Sequence, residues 1–155
     1  MDISEIKYVL SNSELFKGLE EKSIERIALL QKEEKYKPGE YIFQQGDLGN
    51  RIYIVMEGHI SLERKMDLGT RKGNMVIGML GKWRAFGCWS CLLGETQSLM
   101  SSAICRKNAK LLSFDGSELR AIMLSEAEIG FHIMERICFL LRDRVRGAYG
   151  AMEKF

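Results

Sequence analysis

Turn-forming residues recur through the middle of this 155-residue chain at a spacing that few architectures tolerate. Between Pro38 and Phe114, β-prone runs alternate with Pro38-Gly39, Gly46-Asp47, Gly49-Asn50 and Glu57-Gly58. The sequence holds 15 glycines and one proline, so glycine supplies most of the breaks. Long helices do not survive such interruption, whereas short strands joined by tight turns do. Tyr41-Ile42-Phe43, Val76-Ile77-Gly78-Met79-Leu80, Leu99 to Ile104 and Leu111 to Phe114 read as strands. Ile52-Tyr53-Ile54-Val55-Met56 is apolar at every position, as expected of a strand covered on both faces. Glu57-Gly58 reads as a turn into His59-Ile60-Ser61-Leu62-Glu63, which alternates. Short strands with turn signals at roughly ten-residue intervals imply a roll, barrel or sandwich.

The flanks are helical in period. Asp2 and Glu5 have capping-box spacing ahead of Ile6 and Val9-Leu10. Ser23 reads as the cap of a second helix carrying Ile24, Ile27, Ala28 and Leu30. From Leu119 the helical period returns. On a wheel of about 100° per residue, Ile129, Phe131, Ile133, Met134, Ile137, Cys138, Leu140, Leu141 and Val145 fill an arc of roughly 200°. A helix that covers one surface needs about half of that. The excess predicts that one side packs on the β portion and the other on a second copy. His132, Glu135, Arg136, Arg142, Asp143 and Arg146 occupy the polar face. The expected architecture is one mainly β domain with flanking helices (α+β): helices over 1–35, a β-roll over 36–115 and helices over 116–150.

Composition narrows the function. The net charge of +2 gives no strong attraction to nucleic acid or an acidic membrane surface. No run approaches the ~18 apolar residues of a membrane span. The acidic start, Met1-Asp2-Ile3-Ser4-Glu5, lacks the order of a signal peptide, so a cytoplasmic location with reduced cysteines is expected. No nucleophile–base pairing, P-loop or dinucleotide motif is present, so no enzyme is expected.

Several ordered segments carry a resemblance. Leu15-Phe16-Lys17-Gly18-Leu19 is followed by Lys37-Pro38-Gly39-Glu40-Tyr41-Ile42-Phe43-Gln44-Gln45-Gly46-Asp47, by Tyr53-Ile54-Val55-Met56-Glu57-Gly58, by Phe86-Gly87 and by Leu92-Leu93-Gly94. With the long apolar helix behind them, they resemble the cyclic-nucleotide-binding β-roll family of catabolite activator protein, the kinase A regulatory subunit and gated channels. The resemblance runs from about Leu15 to Val145. It implies a jelly-roll-like β-roll, a dimerising last helix, and cyclic AMP or cyclic GMP as ligand. It also implies a phosphate cassette over 86–99, with Phe86, Gly87, Cys88, Trp89, Ser90, Gln97, Ser98 and Leu99 as ligand-binding residues. Backbone N–H groups at a helix start suit an anion.

The sequence departs from the family at three places. Cys88 stands where the family has a sugar-binding glutamate, Gln97 where it has a phosphate-binding arginine, and Lys82-Trp83 where Pro-Gly is usual. Loss of the arginine removes about 1.5–3 kcal/mol of charge-assisted bonding. Arg144, inside the apolar arc and near where the last helix closes over the ligand, is a candidate replacement charge; Arg84 is another. For both, simple exposure is the competing reading.

Cys88-Trp89-Ser90-Cys91 is a C-x-x-C at a predicted helix start, where thiolates form readily. It has no second ligand pair for a metal, so Cys88 and Cys91 are a candidate redox pair or small buried residues. His59 and His132 read as surface histidines rather than haem or metal ligands, and no certain cofactor is expected. The leading expectation is a sensor that binds a cyclic nucleotide or similar small anion and signals through its last helix. It would act as a homodimer with an unidentified protein partner, without membrane contact or direct DNA reading. Two alternatives stand beside it: a ligand-free dimerisation or docking scaffold, and a thiol switch.

Overall fold

The computed structural model describes residues 2–154. Two helices, α1 (Ile3–Asn12) and α2 (Glu21–Ala28), precede the strands β1 (Lys32–Tyr36), β2 (Tyr41–Phe43), β3 (Leu48–Gly49), β4 (Arg51–Asp67), β5 (Lys72–Leu80) and β6 (Ala85–Gly87). A short 3₁₀ helix (Trp89–Leu93), β7 (Gln97–Ser98) and β8 (Ser102–Asp115) follow, then α3 (Gly116–Ser125) and α4 (Ala127–Glu153). The β-roll with a long closing helix is the architecture expected.

Two long strands organise the roll. The first part of β4 pairs with the end of β8 and with β6, while its second part pairs with the start of β8 and with β5. β8 in turn carries β1 on its later half and β2 on its earlier half. The β4–β8 register shifts three times between Val55 and Ile60. This is where the sequence reading differs from the fold. Glu57-Gly58 does not reverse the chain; Gly58, at φ +96°, forms an irregularity inside one 17-residue strand. A Cβ there would sit 2.4 Å from the Asn108 carbonyl, so glycine lets the two strands stay in contact. Likewise the two runs expected at Leu99–Ile104 and Leu111–Phe114 are one strand that begins at Ser102.

Two further differences lie in the N-terminal region. The helical stretch ends early, because Lys32–Tyr36 forms β1. Lys-Glu-Glu-Lys-Tyr has no apolar alternation, and its pairing with β8 makes it a strand. The cap of α2 is Glu20, and Ser23 is buried within the first turn. At α1 the Asp2 carboxylate does accept from Ser4 N, at 3.1 Å.

The core has two parts, separated by the strand period. Tyr53 and Val55 point into the roll with Ile60, Leu62, Phe86 and Leu111. Ile52 and Ile54 point the other way, beneath Phe16, Ile27, Leu119, Ile133, Ile137 and Leu140 from the helices. That division explains why Ile52–Met56 reads as apolar on both faces.

Candidate ligand site in the β-roll

The cassette is set by how closely β6 lies on β4. Gly87 pairs with Ile52, and the next amide, Cys88 N, donates to the Arg51 carbonyl at 3.0 Å. Gly87 has φ +132°, and a Cβ on it would lie 2.5 Å from that carbonyl oxygen. Only glycine permits this approach. The Phe86 ring stacks on Tyr53 (centroids 5.1 Å apart) and lies 5.9 Å from Phe43. The 3₁₀ helix then turns away, ending at Gly94 in the left-handed region. Arg120 from α3 donates to the Leu92 carbonyl at 2.5 Å and ties that end down.

Between the cassette and α4 lies a cavity of about 150 Å³. β2, β4 and β5 contribute Phe43, Leu62 and Ile77; the cassette contributes Phe86, Gly87 and Trp89; the segment after β7 contributes Leu99, Met100 and Ser101; and α4 contributes Leu141 and Arg144. Arg144 is the one charged residue in this lining. Small-molecule sites usually measure ~300–1,000 Å³, so this cavity is small beside them.

Arg144 is mostly covered, with 15% of its side chain exposed, rather than extended into solvent. Its Nη2 donates to Glu14 Oε1 at 2.9 Å and to the Ala85 carbonyl. Burial lowers its pKa, and the Glu14 carboxylate opposes that shift. Glu14 also accepts from Arg84 Nε at 3.0 Å and from Ala85 N at 2.7 Å. Arg84 is therefore a partner of Glu14 and is not among the lining residues.

The expected site residues separate into two groups. Phe86, Gly87, Trp89, Leu99 and Arg144 come together on the cavity. Cys88 is instead buried in the core beside Cys91, whose thiol donates to the Cys88 carbonyl at 2.7 Å. Ser90, Gln97 and Ser98 lie outside it: Ser90 Oγ donates to Gln97 Oε1 at 2.9 Å, and Ser98 pairs with Leu48 in the β3–β7 ribbon. All four cysteines are free. Burial pushes the Cys91 thiol up to about 12, away from thiolate chemistry. His132 Nε2 lies 2.6 Å from the Lys17 carbonyl, and no group of three or more metal-ligating side chains exists among the described residues.

Glu14 was not singled out from the sequence. No local pattern marks it, because its partners Arg84, Ala85, Arg136 and Arg144 are at least 70 residues away in the chain. Phe43, Leu62, Ile77, Met100, Ser101 and Leu141 also line the cavity without having been named as ligand-binding. All but Ser101 are apolar, a type that does not by itself mark a binding residue.

The family model of the cyclic nucleotide-binding domain matches residues 33–126, well over half of the chain. The chain belongs to the cyclic nucleotide-binding domain family. It is 27% identical over 137 residues to cyclic nucleotide-gated channel beta-3 of Canis lupus familiaris, covering 88% of this chain and 17% of the channel. The chain thus spans about a sixth of that relative's length. Catabolite activator protein of Thermus thermophilus superimposes with a TM-score of 0.71 at 28% identity, over 91% of this chain and 62% of that one. A cyclic nucleotide-binding domain from Methylobacillus flagellatus KT has the same fold, with a TM-score of 0.80 at 16% identity over 99% and 84% of the two chains. No helix among the described residues is long and apolar enough to cross a membrane.

Proposed function

We propose that this chain is a cytoplasmic, non-catalytic regulatory module that binds cyclic AMP or cyclic GMP in the cavity between the cassette and α4. The observation that carries the reading is the Arg144 guanidinium, the one charge on an otherwise mostly apolar lining that includes Gly87. A cyclic nucleotide offers the same combination: a flat apolar base and a single phosphate anion. In this reading Arg144 supplies the positive charge absent at Gln97. Phe86, Gly87, Trp89 and Leu99 receive the ligand, and Ser90, Gln97 and Ser98 close over it as the cassette tightens.

The signal follows from the cavity's size. A nucleotide fits only if α4 shifts, so the ligand favours a different α4 position, as two-state linkage requires. The outer face of α4 carries Phe131, Met134, Cys138, Leu141, Val145, Ala148 and Met152 at alternating spacings of three and four, with Phe131, Val145 and Met152 well exposed. That is the seam of a two-stranded coiled coil, and it suits a second copy. Leu141 belongs to both the cavity wall and this seam, so ligand and dimer partner act on one residue.

The ligand-free scaffold is favoured by one observation, the small volume of the closed cavity. The two readings separate in a fluorescence titration of Trp83→Phe, in which Trp89 is the remaining indole. Cyclic AMP or cyclic GMP should change Trp89 emission saturably. A flat response to millimolar concentrations of both favours the scaffold.

A further inference from the structure

Resting on the proposed ligand site, we infer that Glu14 sets the affinity of that site by acting as a built-in substitute for the ligand's phosphate. Arg144 faces the cavity, yet its Nη2 already donates to Glu14 Oε1 at 2.9 Å. An entering anion therefore meets a guanidinium whose charge is already balanced, and competes with the carboxylate for it. The exchange swaps one monoanion for another on the same half-buried cation.

The geometry makes the exchange feasible. Glu14 does not become unpaired when Arg144 leaves, because Arg84 Nε holds Oε2 at 3.0 Å and Ala85 N holds Oε1 at 2.7 Å. A half-buried carboxylate stripped of all partners would oppose the exchange; this one keeps a cation and an amide. Arg84 thus stores the displaced charge.

Glu14 also explains which part of α4 responds. The helix is fastened to this residue twice: Arg136 Nε donates to the Glu14 backbone carbonyl at 2.8 Å, and Arg144 donates to its carboxylate. A phosphate competes for the second contact alone. Two turns of helix separate the arginines, so the exchange loosens the Arg144 end of α4, which keeps its hydrogen bond to the Ala85 carbonyl, while the segment up to Arg136 stays fixed. That end holds Gly147 and Gly150, two of the three glycines of α4 and weak helix formers.

The test is calorimetric titration of wild type, Glu14→Gln, Arg144→Ala and the double variant with cyclic AMP and cyclic GMP. Removing the competing charge should tighten binding about tenfold or more, the range of one charge-assisted hydrogen bond. Arg144→Ala should weaken binding, and adding Glu14→Gln to it should then change nothing. Binding by Glu14→Gln alone also supports the inference. If wild type binds and Glu14→Gln binds equally or more weakly, the inference falls while the ligand site stands. If neither chain binds, the ligand site itself falls, and the inference with it. A measurement on wild type needs no variant to fold: the Glu14 side-chain carboxylate ¹³C resonance must shift at ligand saturation, and an unmoved resonance overturns the exchange.

Discussion

Gly87→Ala tests the cassette at its tightest point. A methyl group there would lie 2.5 Å from the Arg51 carbonyl oxygen and 3.0 Å from Ile52 Cα, both backbone atoms of β4. Neither atom yields as a flexible side-chain end would. The residue at φ +132° also forces alanine into a region that costs about 1–3 kcal/mol. If β6 moves off β4 to relieve the contact, the Cys88 N to Arg51 carbonyl hydrogen bond goes as well, at about 1 kcal/mol. The expected loss is about 2–4 kcal/mol. For a domain of this size that lowers Tm by roughly 4–16 °C. Urea unfolding of the ligand-free protein, followed by circular dichroism, measures it directly. A loss under about 1 kcal/mol would show that β6 is not pinned as described. It would also remove the reason for a glycine at the cassette.

Other predictions follow from the same structure. With Cys88, Cys91 and Cys105 buried, Ellman's reagent at neutral pH should leave these three thiols unlabelled in the native chain; fast labelling of Cys91 would contradict its raised pKa. Asp115 caps α3 by accepting from Ser117 N and Glu118 N, so Asp115→Ala should cost about 1 kcal/mol. The Ser117 hydroxyl and these amides hold the Asp115 carboxyl below its usual value. Its contribution is therefore complete above about pH 4 and lost as pH falls through the depressed value. A wild-type–variant gap that widens in acid would reverse this sign. Val145→Asp places a charge in the exposed apolar seam of α4 and should turn a dimer into a monomer in analytical ultracentrifugation. Unchanged mass for that variant would reject the seam as the interface.

The roll was legible because glycine punctuation is a local signal, and so were the landmark motifs and the excess apolar arc of α4. Two features were not local. Gly58 reads as a hairpin residue because a glycine inside a strand differs from one in a turn only through its partner, here Asn108 and its neighbours in β8. β1 is unreadable because Lys32–Tyr36 is made a strand by pairing with Ala109–Ser113 rather than by any pattern of its own. The site divided in the same way. Gly87 and Arg144 are visible from motif and helix wheel, whereas the contacts of Glu14 form only when α4, β6 and the segment after α1 meet.

The central claim is that this roll takes a cyclic nucleotide, and thermal unfolding of the wild-type chain with cyclic AMP, cyclic GMP and cyclic dinucleotides tests it most directly. A ligand at about a hundred times its Kd adds about 2.7 kcal/mol, which raises Tm by roughly 5–11 °C. The account predicts such a rise with cyclic AMP or cyclic GMP, reduced in Arg144→Ala. An unchanged Tm at millimolar concentrations of every one of these nucleotides would contradict it.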